Sequence, residues 1–153
     1  MKRLDQLVGL PLILRASGRR AGTLAGISLD ESGCRVNGLL AEGLGVTERK
    51  RFVPLHQVYL IGEVSAIIES KGKKPLQKPR TLEAGQRVLA TDGKRIGMLT
   101  NALIDLETGS IAALEVSGGW WDDWRSGRTW IRHFQAAEAD GIVASLLPDD
   151  SGT

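Results

Sequence analysis

RVLATDGKRIGMLTNALIDLETGSIAALEV (residues 87–116) reads as strand, turn, strand, turn, strand. Asp92-Gly93 is a two-residue hairpin signal, because such a turn needs positive φ, which Asp and Gly tolerate. Apolar residues alternate on both sides of it: Val88 and Ala90 before, Ile96 and Met98 after. Side chains of a strand point to opposite faces in turn, so this alternation builds one buried face. Asp105-Leu-Glu-Thr-Gly109 is the next turn, and Ile111, Ala113 and Leu114–Val116 resume a strand.

The same layout occurs earlier in the chain. GLPLILRASGRRAGTLAGISLDESG (9–33) aligns with GQRVLATDGKRIGMLTNALIDLETG (85–109). Gly18 matches Gly93, Gly22 matches Gly97 and Asp30 matches Asp105, each 75 positions apart. Further on, Val53 matches Ile131 and Val64 matches Ile142, each 78 apart. The chain is therefore read as an internal repeat of about 70 residues per copy. Asp30 and Asp105 stand at turn starts, where a carboxylate bonds its own backbone. Between the copies, SKGKKPLQKPR (70–80) holds two prolines, one glycine and five cations without apolar periodicity, and reads as a linker. The expected organisation is a first domain over 1–70, a basic linker over 71–80 and a second domain over 81–153.

Turn signals every 8 to 12 residues favour small sandwiches or barrels over alternating strand–helix units. A closed barrel would hide the sheet edges of so small a module. Helical periodicity is weak. The expected helical pieces are a single turn after Pro54 (PLHQV) and a short segment in HFQAAEAD, 133–140.

Of 153 residues, 42% are hydrophobic and 25% charged, the composition of a folded chain. Formal net charge is +2, less basic than a dedicated nucleic-acid binder usually is. The charge is unevenly divided. Residues 1–80 carry 14 Lys and Arg against 7 Asp and Glu, a net of +7; residues 81–153 carry 6 against 11, a net of −5. Cys34 is the lone cysteine, which rules out an intramolecular disulfide or a cysteine-based zinc site and suits a reducing compartment. It is expected as a buried or edge thiol. The N-terminus begins like a signal peptide with Lys2 and Arg3, but Asp5, Gln6 and Arg15 interrupt the apolar run. A cytoplasmic protein without a membrane span is expected.

The pattern L-x-G-x-x-V, a D-G turn, [IV]-G-x-[LV], an acidic residue opening an x-x-x-G turn and then an apolar strand resembles the PRC-barrel domain. RKRFVPLHQVYLIGEVSAIIE (49–69) resembles its closing strand and Pro-Leu turn. The second copy, TWIRHFQAAEADGIVASL (129–146), has Arg132 at the position matching Pro54. The resemblance implies an all-β chain of two small PRC-type β-barrels in tandem, each of about six strands with at most short helical turns. The family includes the cytoplasmic part of the photosynthetic reaction-centre H subunit and the C-terminal domain of the RimM-type ribosome maturation factor. It implies docking onto other macromolecules in place of catalysis.

The residues themselves give little sign of chemistry. His56 and His133 have no ligand at metal spacing, and no glycine-rich phosphate loop precedes a helix. No enzymatic activity, metal or cofactor is expected. All four tryptophans lie in GGWWDDWRSGRTW, 118–130. Trp130 matches Phe52 and reads as a packed strand residue. Trp120, Trp121 and Trp124 align with Glu42, Gly43 and Val46, where the first copy has no aromatic. Aromatic and arginine side chains anchor protein interfaces, so Trp120, Trp121, Trp124, Arg125 and Arg128 are the candidate partner-binding residues. They are read either as covering the barrels or as a homodimer or partner surface. Arg49, Lys50, Arg51, Lys73 and Lys74 are candidate contacts for an anionic partner, which leaves a ribosome- or RNA-associated maturation role as the alternative to protein docking. Asp122 and Asp123 beside the tryptophans oppose direct stacking on a nucleic acid.

Overall fold

A computed structural model of the chain describes residues 1–44, 50–90, 92–118, 128–131, 134–136 and 141–144. For 128–130, 134–136 and 141–144 the backbone course alone is described. In chain order the elements are β1 (Lys2–Arg3), α1 (Leu4–Leu7), β2 (Pro11–Leu14), β3 (Arg20–Leu29), β4 (Val36–Glu42), β5 (Arg51–Pro54), a 3₁₀ turn (Leu55–Gln57), β6 (Val58–Ile61), β7 (Ala66–Ile68), β8 (Arg80–Leu82), β9 (Arg87–Ala90), β10 (Arg95–Asp105), β11 (Ser110–Gly118), β12 (Arg128–Ile131), β13 (Phe134–Ala136) and β14 (Gly141–Ala144). The protein is all-β.

The strands form two sheets of the same plan. One runs β5-β4-β3-β2-β7-β6, the other β12-β11-β10-β9-β14-β13. In each, the first strand of the copy lies parallel to the last, β2 to β7 and β9 to β14. Even the irregularities recur. Register shifts leave Ala21 and Ile96 unopposed, then Ala25 and Thr100, then Asn37 and Ala112. Each of these pairs is 75 apart. A bulge bends and twists its strand, so sharing three of them means that the two sheets are curved alike. Among the described residues neither path closes on itself.

Gly22 and Gly97 explain one constraint behind the pattern. A Cβ on Gly22 would collide with the carbonyl of Glu42, and one on Gly97 with the carbonyl of Ser117. Both sit where the long second strand crosses close under its neighbour, and only glycine fits. Phe52 lies opposite Leu40, and Trp130 opposite Glu115, which corresponds to Leu40. Phe52 and Trp130 thus hold equivalent strand positions.

The two copies exchange strands. β1, at the start of the first copy, pairs with β10 of the second: Lys2 opposite Ile104, Arg3 opposite Leu103. β8, at the start of the second, pairs with β3 of the first: Arg80 opposite Leu29, Thr81 opposite Ser28, Leu82 opposite Ile27. Leu29 and Ser28 correspond to Ile104 and Leu103, so the two exchanges share one register. Arg35 and Ser110, themselves equivalent positions, bridge each other, with Val36 N–H donating to the Gly109 carbonyl at 2.8 Å. A contact between a position and its own counterpart is what a local two-fold axis produces. One continuous apolar core follows. It contains Leu7, Leu24, Ile27 and Leu39 from the first copy and Leu82, Val88, Leu99 and Leu114 from the second.

Several sequence expectations meet the structure directly. The turn after Pro54 is the 3₁₀ turn Leu55–Gln57. A hairpin does form at Asp92-Gly93, closed by Ala90 N–H on the Lys94 carbonyl at 2.8 Å, but that closing pair leaves three residues between the strands, 91–93, and not the two expected. Asp92 and Asp105 accept backbone N–H bonds from Lys94 and Glu107, at 2.9 and 3.0 Å. Asp30 instead accepts the Ser32 hydroxyl at 2.5 Å. Other expectations need correction. Phe134–Ala136 is a strand, not a helical piece, because it finds a ladder partner in β14. Ile142 corresponds to Ala66, which pairs with Leu12 as Ile142 does with Val88; Val64 lies exposed in the preceding turn. Cys34 is neither buried nor in a strand: it is exposed just before β4. The short helix α1 was not foreseen. Leu4 and Leu7 are buried one turn apart, and Arg3 N–H donates to Gln6 Oε1 at 2.9 Å. The second copy repeats that bond without a helix, Glu83 N–H to Gln86 Oε1 at 3.0 Å.

Candidate interaction surfaces

Trp120, Trp121, Trp124 and Arg125 lie outside the described residues, as does Arg49. Arg128 opens β12 opposite Ser117, two positions before Trp130. β12 ends its sheet, so the tryptophan-bearing connection enters a terminal strand of the second sheet.

The basic candidates come together at the corresponding strand of the first sheet. Phe52 N–H donates to the Lys73 carbonyl at 2.7 Å, and Lys73 N–H to the Phe52 carbonyl at 2.9 Å. This two-bond bridge lays the start of the basic segment along the outer side of β5. Lys50 and Arg51 are thereby brought beside Lys73 and Lys74, although 22 positions separate them along the chain. Lys73 and Lys74 are exposed. Lys50 Nζ lies 3.8 Å from Glu83 Oε1, a long and solvent-screened pair.

A third region carried no signal in the linear reading. An open groove of about 570 Å³ lies between the copies, lined by Lys2, Tyr59, Leu60, Ile61, Asp105 and Glu107 among others. β6 forms one wall, and the end of β10 with β1 beside it forms the other. Tyr59 and Leu60 are each 54% exposed, unusual for adjacent large side chains in a strand. The Arg15 guanidinium stacks on the Tyr59 ring, 3.8 Å from its centre, and donates to Glu69 Oε1 at 2.8 Å. The hydrogen bond to Glu69 is the main cause that raises the Arg15 pKa above its already basic value. Arg15 therefore stays charged across the physiological range.

Within the second sheet, Thr100 Oγ donates to Glu115 Oε1 at 2.8 Å, and Glu115 is buried. Asn101, also buried, takes the place of Gly26 and accepts Asp5 N–H at 3.2 Å. These bonds tie the polar groups into the fold.

The frame of the second copy, from the strand-opening glycine to the parallel return of β14, matches a known family model. A PRC-barrel domain occupies residues 84–143. The PRC-barrel domain thus spans β9 to β14 and includes the whole tryptophan-bearing connection. No curated protein matches the chain. Among the described residues no helix is long and apolar enough to cross a membrane.

Proposed function

We propose that the protein is a non-catalytic docking or adaptor protein of the cytoplasm that binds another protein or complex through the surfaces of two PRC-type barrels. The barrels comprise residues 1–70 and 81–153, with 71–80 joining them. The observation that carries this reading is the PRC-barrel domain at 84–143, since such domains are generally protein-interaction modules. The shared strand order and the three shared bulges support the extension of that domain to the first copy.

Trp120, Trp121, Trp124, Arg125 and Arg128 form the anchor in this reading. The first four lie in the connection that the first copy fills with LGVTER, which has no aromatic, so they distinguish the PRC-barrel domain from its neighbour. Trp120→Ala with Trp124→Ala should leave the fold intact and abolish recovery of the partner in an affinity purification from the native host. Unfolding of that variant, or undiminished recovery, contradicts the assignment.

The ribosome- or RNA-associated reading gains one specific observation, the bridge that gathers Lys50, Arg51, Lys73 and Lys74 at β5. Phosphate binding by such a cluster weakens steeply with salt. Sedimentation with ribosomal particles at low salt, lost as salt rises, is its expected signature; no co-sedimentation at low salt rejects it.

A further inference from the structure

We infer that the end of the first sheet at which β4 runs out and β5 begins is a contact surface for an anionic lipid bilayer, with Leu44 and Leu76 entering the headgroup layer and the lysines around them meeting lipid phosphates. This goes beyond the docking reading and does not depend on it. Residues 50–80 hold seven Lys and Arg against two Asp and Glu. Of those two, Glu69 is held by Arg15 at 2.8 Å, and Glu63 lies in the turn between β6 and β7, at the other end of the sheet. The Phe52–Lys73 bridge is antiparallel, so the basic segment leaves it in the direction of β4. Leu40, Phe52 and Lys73 share one row. Leu76 is three positions beyond that row and Leu44 four, both toward the same end. Leu76 is 103% exposed, the most of any large apolar side chain described, and Leu44 is 64% exposed. Lys74 and Lys78 flank Leu76 in the sequence. Pro75 and Pro79 have no N–H to donate to a ladder, which keeps Leu76 out of the sheet.

The leucines select a bilayer over a polynucleotide. Clustered cations attract any polyanion, an anionic leaflet included. Interfacial binding adds the burial of apolar side chains among the headgroups, which a phosphate backbone cannot offer. Single-stranded nucleic acid is instead held by stacking on aromatics. The aromatics between residues 50 and 80 are Phe52 and Tyr59. The Phe52 ring lies against Gly38, where an added Cβ would strike it, and Tyr59 carries Arg15 at the far end of the sheet. Residue type agrees. Arg suits bidentate recognition of one phosphate, whereas Lys is a point charge on a flexible stem. The exposed cations here, Lys50, Lys71, Lys73, Lys74 and Lys78, are all lysines, while Arg80 donates to the Glu31 carbonyl within the fold. The second copy, net −5 over residues 81–153, is repelled by an anionic leaflet, so the attraction turns this end of the chain toward it. The same lysines serve the RNA-associated reading; Leu44 and Leu76 set the two apart.

The test is co-sedimentation of the full chain with large vesicles of phosphatidylcholine, alone or mixed equally with phosphatidylglycerol, at low and high salt. The chain should pellet with the mixed vesicles only, and less as salt rises. Lys73→Glu with Lys74→Glu should lower the partition coefficient at least about tenfold. Leu44→Ser with Leu76→Ser, both at exposed positions, should keep the far-ultraviolet circular dichroism of the wild type and lower the partition about fivefold. Trp120→Ala with Trp124→Ala should leave vesicle binding unchanged, which separates this surface from the docking anchor. Absence of pelleting with the mixed vesicles overturns the inference. So does equal pelleting with both kinds, indifference to the leucine substitutions, or loss of binding in the tryptophan variant. A chain that binds single- or double-stranded RNA in fluorescence anisotropy but pellets with neither vesicle assigns the lysines to nucleic acid, and overturns it as well.

Discussion

The two copies share a frame down to the positions of their bulges, yet they differ in what they place on it. The first copy uses Gly26 and Ala25 where the second uses Asn101 and Thr100. It offers an apolar terminal strand, VYLI, where the second has FQA, and a connection without aromatics where the second concentrates three tryptophans. The two sheets share their backbone crossings, so the glycines and the buried apolar face recur in both. Surfaces and connections are free to diverge. Differences between the copies therefore point to interactions, and identities point to folding.

The largest expected effect tests the shared core. Leu82 is fully buried and belongs in sequence to the second copy, but it pairs with β3 of the first. Leu82→Ala should destabilise the protein by about 2–5 kcal/mol. Denaturant unfolding followed by circular dichroism and by tryptophan fluorescence should still give one coincident transition. Because all four tryptophans lie in the second copy, two separate transitions would mean that the copies fold independently.

Next in size is the paired glycine test. Gly22→Ala and Gly97→Ala should each cost about 1–3 kcal/mol by forcing the facing carbonyl aside. Similar losses in chemical denaturation would bear out the equivalence of the two crossings; a loss at only one would break it.

These glycines, the D-G turn and the alternation in residues 87–116 were readable because turns and faces leave local signatures. The exchange of β1 and β8 was not. Lys2–Arg3 and Arg80–Leu82 are two and three residues long, too short for any periodicity, and their partners lie far along the chain, 102 positions for Lys2 and Ile104 and 51 for Arg80 and Leu29. The bulges also escaped, since Ala21, Ala25 and Asn37 look like ordinary strand residues. At the candidate sites, residue type pointed to Lys50, Arg51, Lys73 and Lys74, but only the Phe52–Lys73 bridge assembles them. The place of VYLI escaped because an apolar tetrad reads as core, and it is the strand order among the described residues that puts it at the end of its sheet. In HFQAAEAD the composition favours a helix, but Phe134–Ala136 pairs with β14; residues 133 and 137–140 lie outside the described residues.

Smaller effects should come from the polar groups particular to the second copy. Asn101→Ala leaves Asp5 N–H without its acceptor and should cost about 1–3 kcal/mol. Thr100→Val removes the hydroxyl that donates to Glu115 and should cost about 1 kcal/mol. Thermal or denaturant melts measure both. If neither variant differs from wild type, the added polar groups do not stabilise the second sheet.

The central claim is that a common frame supports folding while the second copy's connection supports docking. The sheet registers place Glu42 opposite Thr23 as they place Ser117 opposite Met98, so Glu42 corresponds to Ser117 and not, as the sequence alignment had it, to Trp120. The most direct measurement therefore replaces residues 119–127 with residues 44–49, the connection after β4, and follows both melting and partner recovery from the native host. The account predicts an unchanged melting curve and loss of the partner. A graft that still recovers the partner, or one that no longer folds, would contradict it.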